Sequence, residues 1–87
     1  MIIRSQDKAK IINFNTTCEI YKQGFEIWLN TYNGISKIGM YSTEEKAIKV
    51  LDMIQSAYNA IETMKIDKGA WRDNHYFQMP SNDEVEV

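Results

Sequence analysis

Apolar residues recur at helical spacing through Ala47, Val50, Leu51, Ile54, Ala57, Tyr58, Ile61 and Met64, and this run decides most of what the chain can fold into. Ser42 stands as the N-cap, with Glu45 three residues on as its capping-box partner. Gly69 supplies a left-handed stop, with Lys65 and Lys68 near the negative end of the dipole. The spacing predicts one helix of about six turns from Ser42 to Lys68. A second apolar set, Ile48, Met53 and Ala60, widens the stripe beyond what one sheet face covers. A helix that caps a sheet explains most of the pattern. The excess points to a homodimer or higher oligomer through Ile48, Met53, Ala57, Ala60 and Met64.

The flanking segments read as strands. Met1–Ser5 and Lys10–Phe14 are short and β-branched, and Thr17–Lys22 alternates weakly before Gln23-Gly24. Asn33-Gly34 between two strand-like runs is the preferred pair for a type I′ hairpin. With Tyr32 facing Ile35, Leu29 lies opposite Ile38 and Ile27 opposite Met40 on the helix side. The other face then carries Trp28 over Gly39, with Tyr32 and Tyr41. That aromatic face reads either as rescue of a strand glycine or as a platform for a flat ligand or protein partner. Tyr76–Met79 adds a last strand before Pro80. The expected fold is α+β: a five-stranded antiparallel sheet, one long helix packed on it, and a short C-terminal strand. One domain spans residues 1–80, and the acidic 81–87 segment is expected to be frayed. Because one helix only partly covers five strands, a second copy is the expected cover.

Charge and composition exclude several classes. Of the twelve acids, Asp83, Glu84 and Glu86 sit at the end, leaving ten basic against nine acidic side chains and a body near +1. That is no footprint for duplex nucleic acid. The one cysteine, Cys18, gives neither a disulfide framework nor a cysteine zinc site, and suits a reducing cytoplasm. The sequence has no membrane-length apolar run and no long apolar leader segment.

Catalytic signatures are missing as well. His75 has no ligand partner at helical spacing, and the glycines at 24, 34, 39 and 69 form no phosphate loop. Glu44-Glu45 is explained by the helix dipole. A non-enzymatic protein without metal or cofactor is expected. The binding inventory lies after the helix: Trp71 offers a ring face, Arg72 a bidentate charge, and Asn74, His75 and Gln78 directional hydrogen bonds. Arg4 and Lys8 are further candidates, with solvated charge as the competing reading.

Three strings resemble one family. They are Met1-Ile2-Ile3-Arg4-Ser5-Gln6-Asp7-Lys8, the joint Tyr41-Ser42-Thr43-Glu44-Glu45-Lys46-Ala47 with Val50-Leu51-Asp52-Met53-Ile54, and Phe77-Gln78-Met79-Pro80 with its acidic tail. Together they look like a group of small proteins of Firmicutes phages, prophages and their hosts. The strings carry no chemistry, so the resemblance implies origin, in a host bacterial cytoplasm, more than activity. Trp71 to His75 lies outside it. For such a protein the resemblance implies counter-defence: a sponge that sequesters a nucleotide-derived immune signal, such as a cyclic ADP-ribose isomer of Thoeris or a cyclic oligonucleotide of CBASS. The chain is similar to sponges in size, class and the expected dimer helix. The alternatives are an anti-CRISPR-like inhibitor of a defence effector, or another small interaction module.

Overall fold

The computed structural model describes residues 1–14, 17–68 and 76–87, and for 18 and 61–68 the backbone alone. Its elements are β1 (Ile2–Arg4), β2 (Ile11–Asn13), β3 (Thr17–Gln23), β4 (Glu26–Thr31), β5 (Gly34–Met40), α1 (Glu44–Lys68) and β6 (Tyr76–Gln78), then a 3-10 turn at Asn82–Glu84. The class is α+β, as expected. The single five-stranded sheet is not found. The strands divide into two three-stranded sheets, ordered β2-β1-β6 and β3-β4-β5. In the first, β1 runs antiparallel to β2 and parallel to β6.

The division has a local cause. Gln6 follows β1 directly, and its backbone amide donates to Ile38 O at 2.8 Å. Its side chain then takes both backbone groups of Met40: Oε1 accepts from Met40 N at 2.8 Å, and Nε2 donates to Met40 O at 3.0 Å. A carboxamide thus stands where another strand would pair, and the ladder of β5 ends on a side chain. The turn beneath it is tightly bonded. Ser5 Oγ donates to Asp7 Oδ1 and accepts from Lys10 N, while Asp7 Oδ1 also accepts from Ala9 N. These two donors hold the Asp7 carboxyl below its usual range.

One core serves both sheets and the helix. Ile3, Ile27, Leu29, Ile38, Tyr41, Ala47, Val50, Ile54, Met79 and Val85 form a single buried cluster. The cover expected from a second copy is therefore supplied in part by the chain's own β1 and the Met79 to Val85 segment. The excess stripe on α1 is also not one surface. Ile48 is 48% exposed, and five residues on, Met53 lies about 140° around the helix from it. Met53 and Ala57 are half-buried and Ala60 is exposed; of Met64 the backbone alone is described.

The hairpin differs in register. Thr31 pairs with Gly34, so Tyr32 and Asn33 form the loop. Gly34 has φ +133°, and Asn33 is not among the residues with positive φ, so the expected type I′ turn at Asn33-Gly34 is not formed. Instead Thr31 Oγ1 accepts from Asn33 N and donates to Gly34 O. This shift by two residues keeps Leu29 inside. Between Ile27 and Trp28 the register slips back by one, because Ile38 is an extra residue on β5. The bulge turns Met40 outward, opposite Glu26, where it is 54% exposed. Trp28 lies opposite Lys37, not Gly39.

Two further expectations are corrected at the helix start. The cap is Thr43, whose Oγ1 accepts from Lys46 N at 3.1 Å; Ser42 instead donates its amide to Asn82 Oδ1. The acidic end is folded through Val85, which is 3% exposed. Lys46 Nζ donates to Asn82 O, and the Glu84 carboxylate accepts from Ser81 N, which lowers its pKa. The expected stop at Gly69 lies outside the described residues.

Tyr41 joins these parts, and so it leaves the exposed aromatic face on which the sequence placed it. It is 3% exposed, and its hydroxyl donates to Pro80 O at 2.8 Å. A Cβ on Gly39 would stand 3.0 Å from Met79 Cε and 3.1 Å from Tyr41 Cε2, so Gly39 makes room for that ring. Burial first, and then the Glu84 charge, push the Tyr41 phenol well above its ordinary 10.0.

Two outcomes follow from this packing. Gly34→Ala should cost about 1–3 kcal/mol through backbone strain alone, while Asn33→Ala should be nearly silent. Equal losses in chemical denaturation would restore the type I′ turn. Tyr41 should also shape the alkaline limb. Its raised folded pKa adds stability that is complete below pH 10.0 and is lost as pH rises from there through the folded value. Tyr41→Phe should cost about 1 kcal/mol at neutral pH by removing the shorter of the two hydrogen bonds to Pro80 O, which keeps Gln6 Nε2 as a donor. The variant should also show a shallower decline above pH 10.0; an identical decline would mean the phenol is not buried.

Candidate functional site

Beyond its first turns α1 is held less closely to the sheet. Ala47, Val50 and Ile54 are buried, whereas Leu51 is half-buried and Tyr58 is 36% exposed. The inner side of edge strand β3 faces this stretch through Ile20. Phe14, just after β2, closes the space, its ring 5.0 Å from that of Tyr58 at 31°. The result is a cleft of about 470 Å³, lined by Phe14, Thr17, Glu19, Ile20, Leu51, Ile54, Gln55 and Tyr58. Such a volume suits a small organic ligand.

The walls are mainly apolar and the polar groups are few. Glu19 and Gln55 are exposed, so a carboxylate and a carboxamide stand where the cleft meets solvent. Thr17 Oγ1 is buried and has no hydrogen-bond partner among the described residues. A buried hydroxyl normally has a hydrogen-bond partner in a folded protein. A break in the β3–β4 register between Thr17 and Glu19 carries the chain around this corner.

None of the residues expected to bind ligand is among the described lining of this cleft. Trp71, Arg72, Asn74 and His75 fall outside the described residues. Arg4 and Gln78 are register partners across β1 and β6, and Lys8 turns close beside them with φ +65°. Both Nε and Nη2 of Arg4 donate to Lys8 O, at 3.2 and 3.1 Å. Gln78 Nε2 donates to Ser5 O and Met79 O. Arg4 and Gln78 are thus engaged in shaping the β1–β2 turn, and none of the three lines the cleft. Among the described residues no cluster of His, Cys, Asp or Glu is placed to hold a metal ion, and no helix is long and apolar enough to cross a membrane.

The cleft was hard to see in sequence. Leu51, Ile54 and Tyr58 are legible as core stripe, and Phe14 and Ile20 as strand residues. Only their meeting at a sheet edge makes a cavity, and spacing within one element carries no signal of that.

Residues 28–77, more than half of the chain, match the model of the family described as Domain of unknown function (DUF7336), and the chain belongs to that family. No curated protein and no solved structure matches it. The matched span holds most of β4 and all of β5 and α1, and so includes the helical wall of the cleft but not Phe14 to Ile20.

Removing the open hydroxyl provides a check on this geometry. Thr17→Val should leave stability unchanged or raise it by up to about 1 kcal/mol, since an unpaired buried group is lost. A loss of more than about 1 kcal/mol in thermal or urea unfolding would show that Oγ1 has a partner in the free protein.

Proposed function

We propose that this chain is a small non-enzymatic binding protein that takes a ring-bearing ligand into the cleft between α1 and β3. The observation that supports this reading is the cleft itself: apolar walls, the Phe14–Tyr58 ring pair at one side, and few polar groups, with Glu19 and Gln55 at its margin. A flat ring gains from apolar burial and from contact with the exposed part of Tyr58. The polar margin would orient it.

Sequestration of a nucleotide-derived signal is the more specific role suggested by the phage resemblance. Within this cleft a base would find its ring contacts, but a phosphate would find no lysine or arginine among the described lining residues. Nucleotides therefore belong in the test as competitors to a simple ring. A protein-inhibitor role would use the outer face of β3-β4-β5 instead. There Tyr21 and Trp28 are register partners, and Tyr32 is 85% exposed at the hairpin tip.

The test is an amide NMR titration with indole, cyclic ADP-ribose isomers, and cyclic di- and trinucleotides. Indole should shift Thr17, Ile20, Leu51, Gln55 and Tyr58 together and saturably. Leu51→Arg should remove the effect, with its fold confirmed by retained shifts at Ile27 and Leu29. Shifts confined to Trp28 and its strand neighbours, or no saturable shift at all, would overturn the cleft reading.

A further inference from the structure

We infer that the cleft selects organic cations, an apolar ring carrying an amine, over anions of the same shape. This rests on the cleft reading above and names its ligand class. Three observations carry it. The first is the charge of the lining: among the described residues Glu19 is its one carboxylate, and no described lysine or arginine lines it.

The second is where several described cations are held. Lys22 pairs with Glu44 at 3.0 Å and Lys37 with Glu26 at 3.5 Å. Lys46 donates to Asn82 O, and Arg4 to Lys8 O. Each is engaged by a group outside the cleft, and Glu19 makes no ion pair with a described residue. An ammonium at the cleft margin would meet a carboxylate that has no ion-pair partner among the described residues. A carboxylate or phosphate there would meet like charge.

The third is the character of the walls. Aromatic ring faces attract cations and repel anions, and both Phe14 and Tyr58 line this space. Acceptor groups complete the match. Gln55 presents a carboxamide oxygen, and the Thr17 hydroxyl has acceptor capacity without a described partner. An ammonium is a pure donor, so acceptors and ring faces are what it requires.

Three probes with one ring and different heads separate this inference from the reading beneath it: tryptamine (cationic), indole (neutral) and indole-3-acetate (anionic). Affinities are read by amide NMR titration of the full chain at low ionic strength. Tryptamine should bind at least about threefold tighter than indole-3-acetate, the size expected of an exposed ion pair. The margin should shrink toward parity in roughly 1 M salt, where the screening length is about 3 Å. Glu19→Gln should lower the preference while keeping indole binding, and Glu86→Gln, at the far end of the chain, should not. Equal or tighter binding of the acetate, or a preference untouched by Glu19→Gln, overturns the cation selectivity and leaves the cleft reading standing. If none of the three probes binds, the cleft reading fails and the selectivity falls with it.

Discussion

The carboxamide of Gln6 is the contact on which the arrangement of the two sheets depends. A primary amide has the donor and acceptor of a peptide group, and Gln6 uses both on the backbone of Met40. Its Nε2 also lies 3.3 Å from Pro80 O, the oxygen that accepts from the Tyr41 hydroxyl. The end of β1, the end of β5 and the chain's return after β6 are therefore joined at one place. Each bond taken alone is modest, about 1 kcal/mol net. Their shared geometry makes them mutually dependent, since moving any one strand breaks bonds to the other two.

From that junction the helix is fixed at its beginning and freer further on. Ser42 and Lys46 are bonded to Asn82, Glu44 to Lys22, and Val85 fills the core beside the first turns. Farther along, contact with the sheet gives way to contact with Phe14 through Tyr58. The cleft lies between these two supports. A helix pinned at its start and propped by a ring near its middle leaves space between the two supports. That space is a property of the packing and not of any motif, which is why a binding reading rests on it more securely than on exposed side chains.

Much of the fold was legible in the residues. The helix, the strand segments and most of the buried set follow from periodicity, because α1 and β4 each bury one face. Three features were not. The division into two sheets turns on a side chain imitating backbone, and a glutamine gives no periodic signal of that use. The outward turn of Met40 comes from one extra residue at Ile38, which alternation alone places on the wrong side. The buried tail depends on Val85, a lone apolar residue in an acidic stretch, whose environment is made by elements far away in sequence. The three strings that carried the phage resemblance meet here: Gln6, Tyr41 and Pro80 come from each in turn. Their role in this structure is to hold the fold, which accounts for their lack of chemistry.

The central claim is that this junction makes one cooperative unit of both sheets and the helix, and amide hydrogen exchange tests it most directly. The amides of Gln6, Met40 and Ser42 sit in turns and strand ends, yet each donates within the junction. They should exchange as slowly as those of Ile27 and Leu29, which open only when the whole chain unfolds. Fast, loop-like exchange at Gln6 and Met40, with Ile27 and Leu29 still protected, would contradict it and leave the two sheets as separately stable pieces.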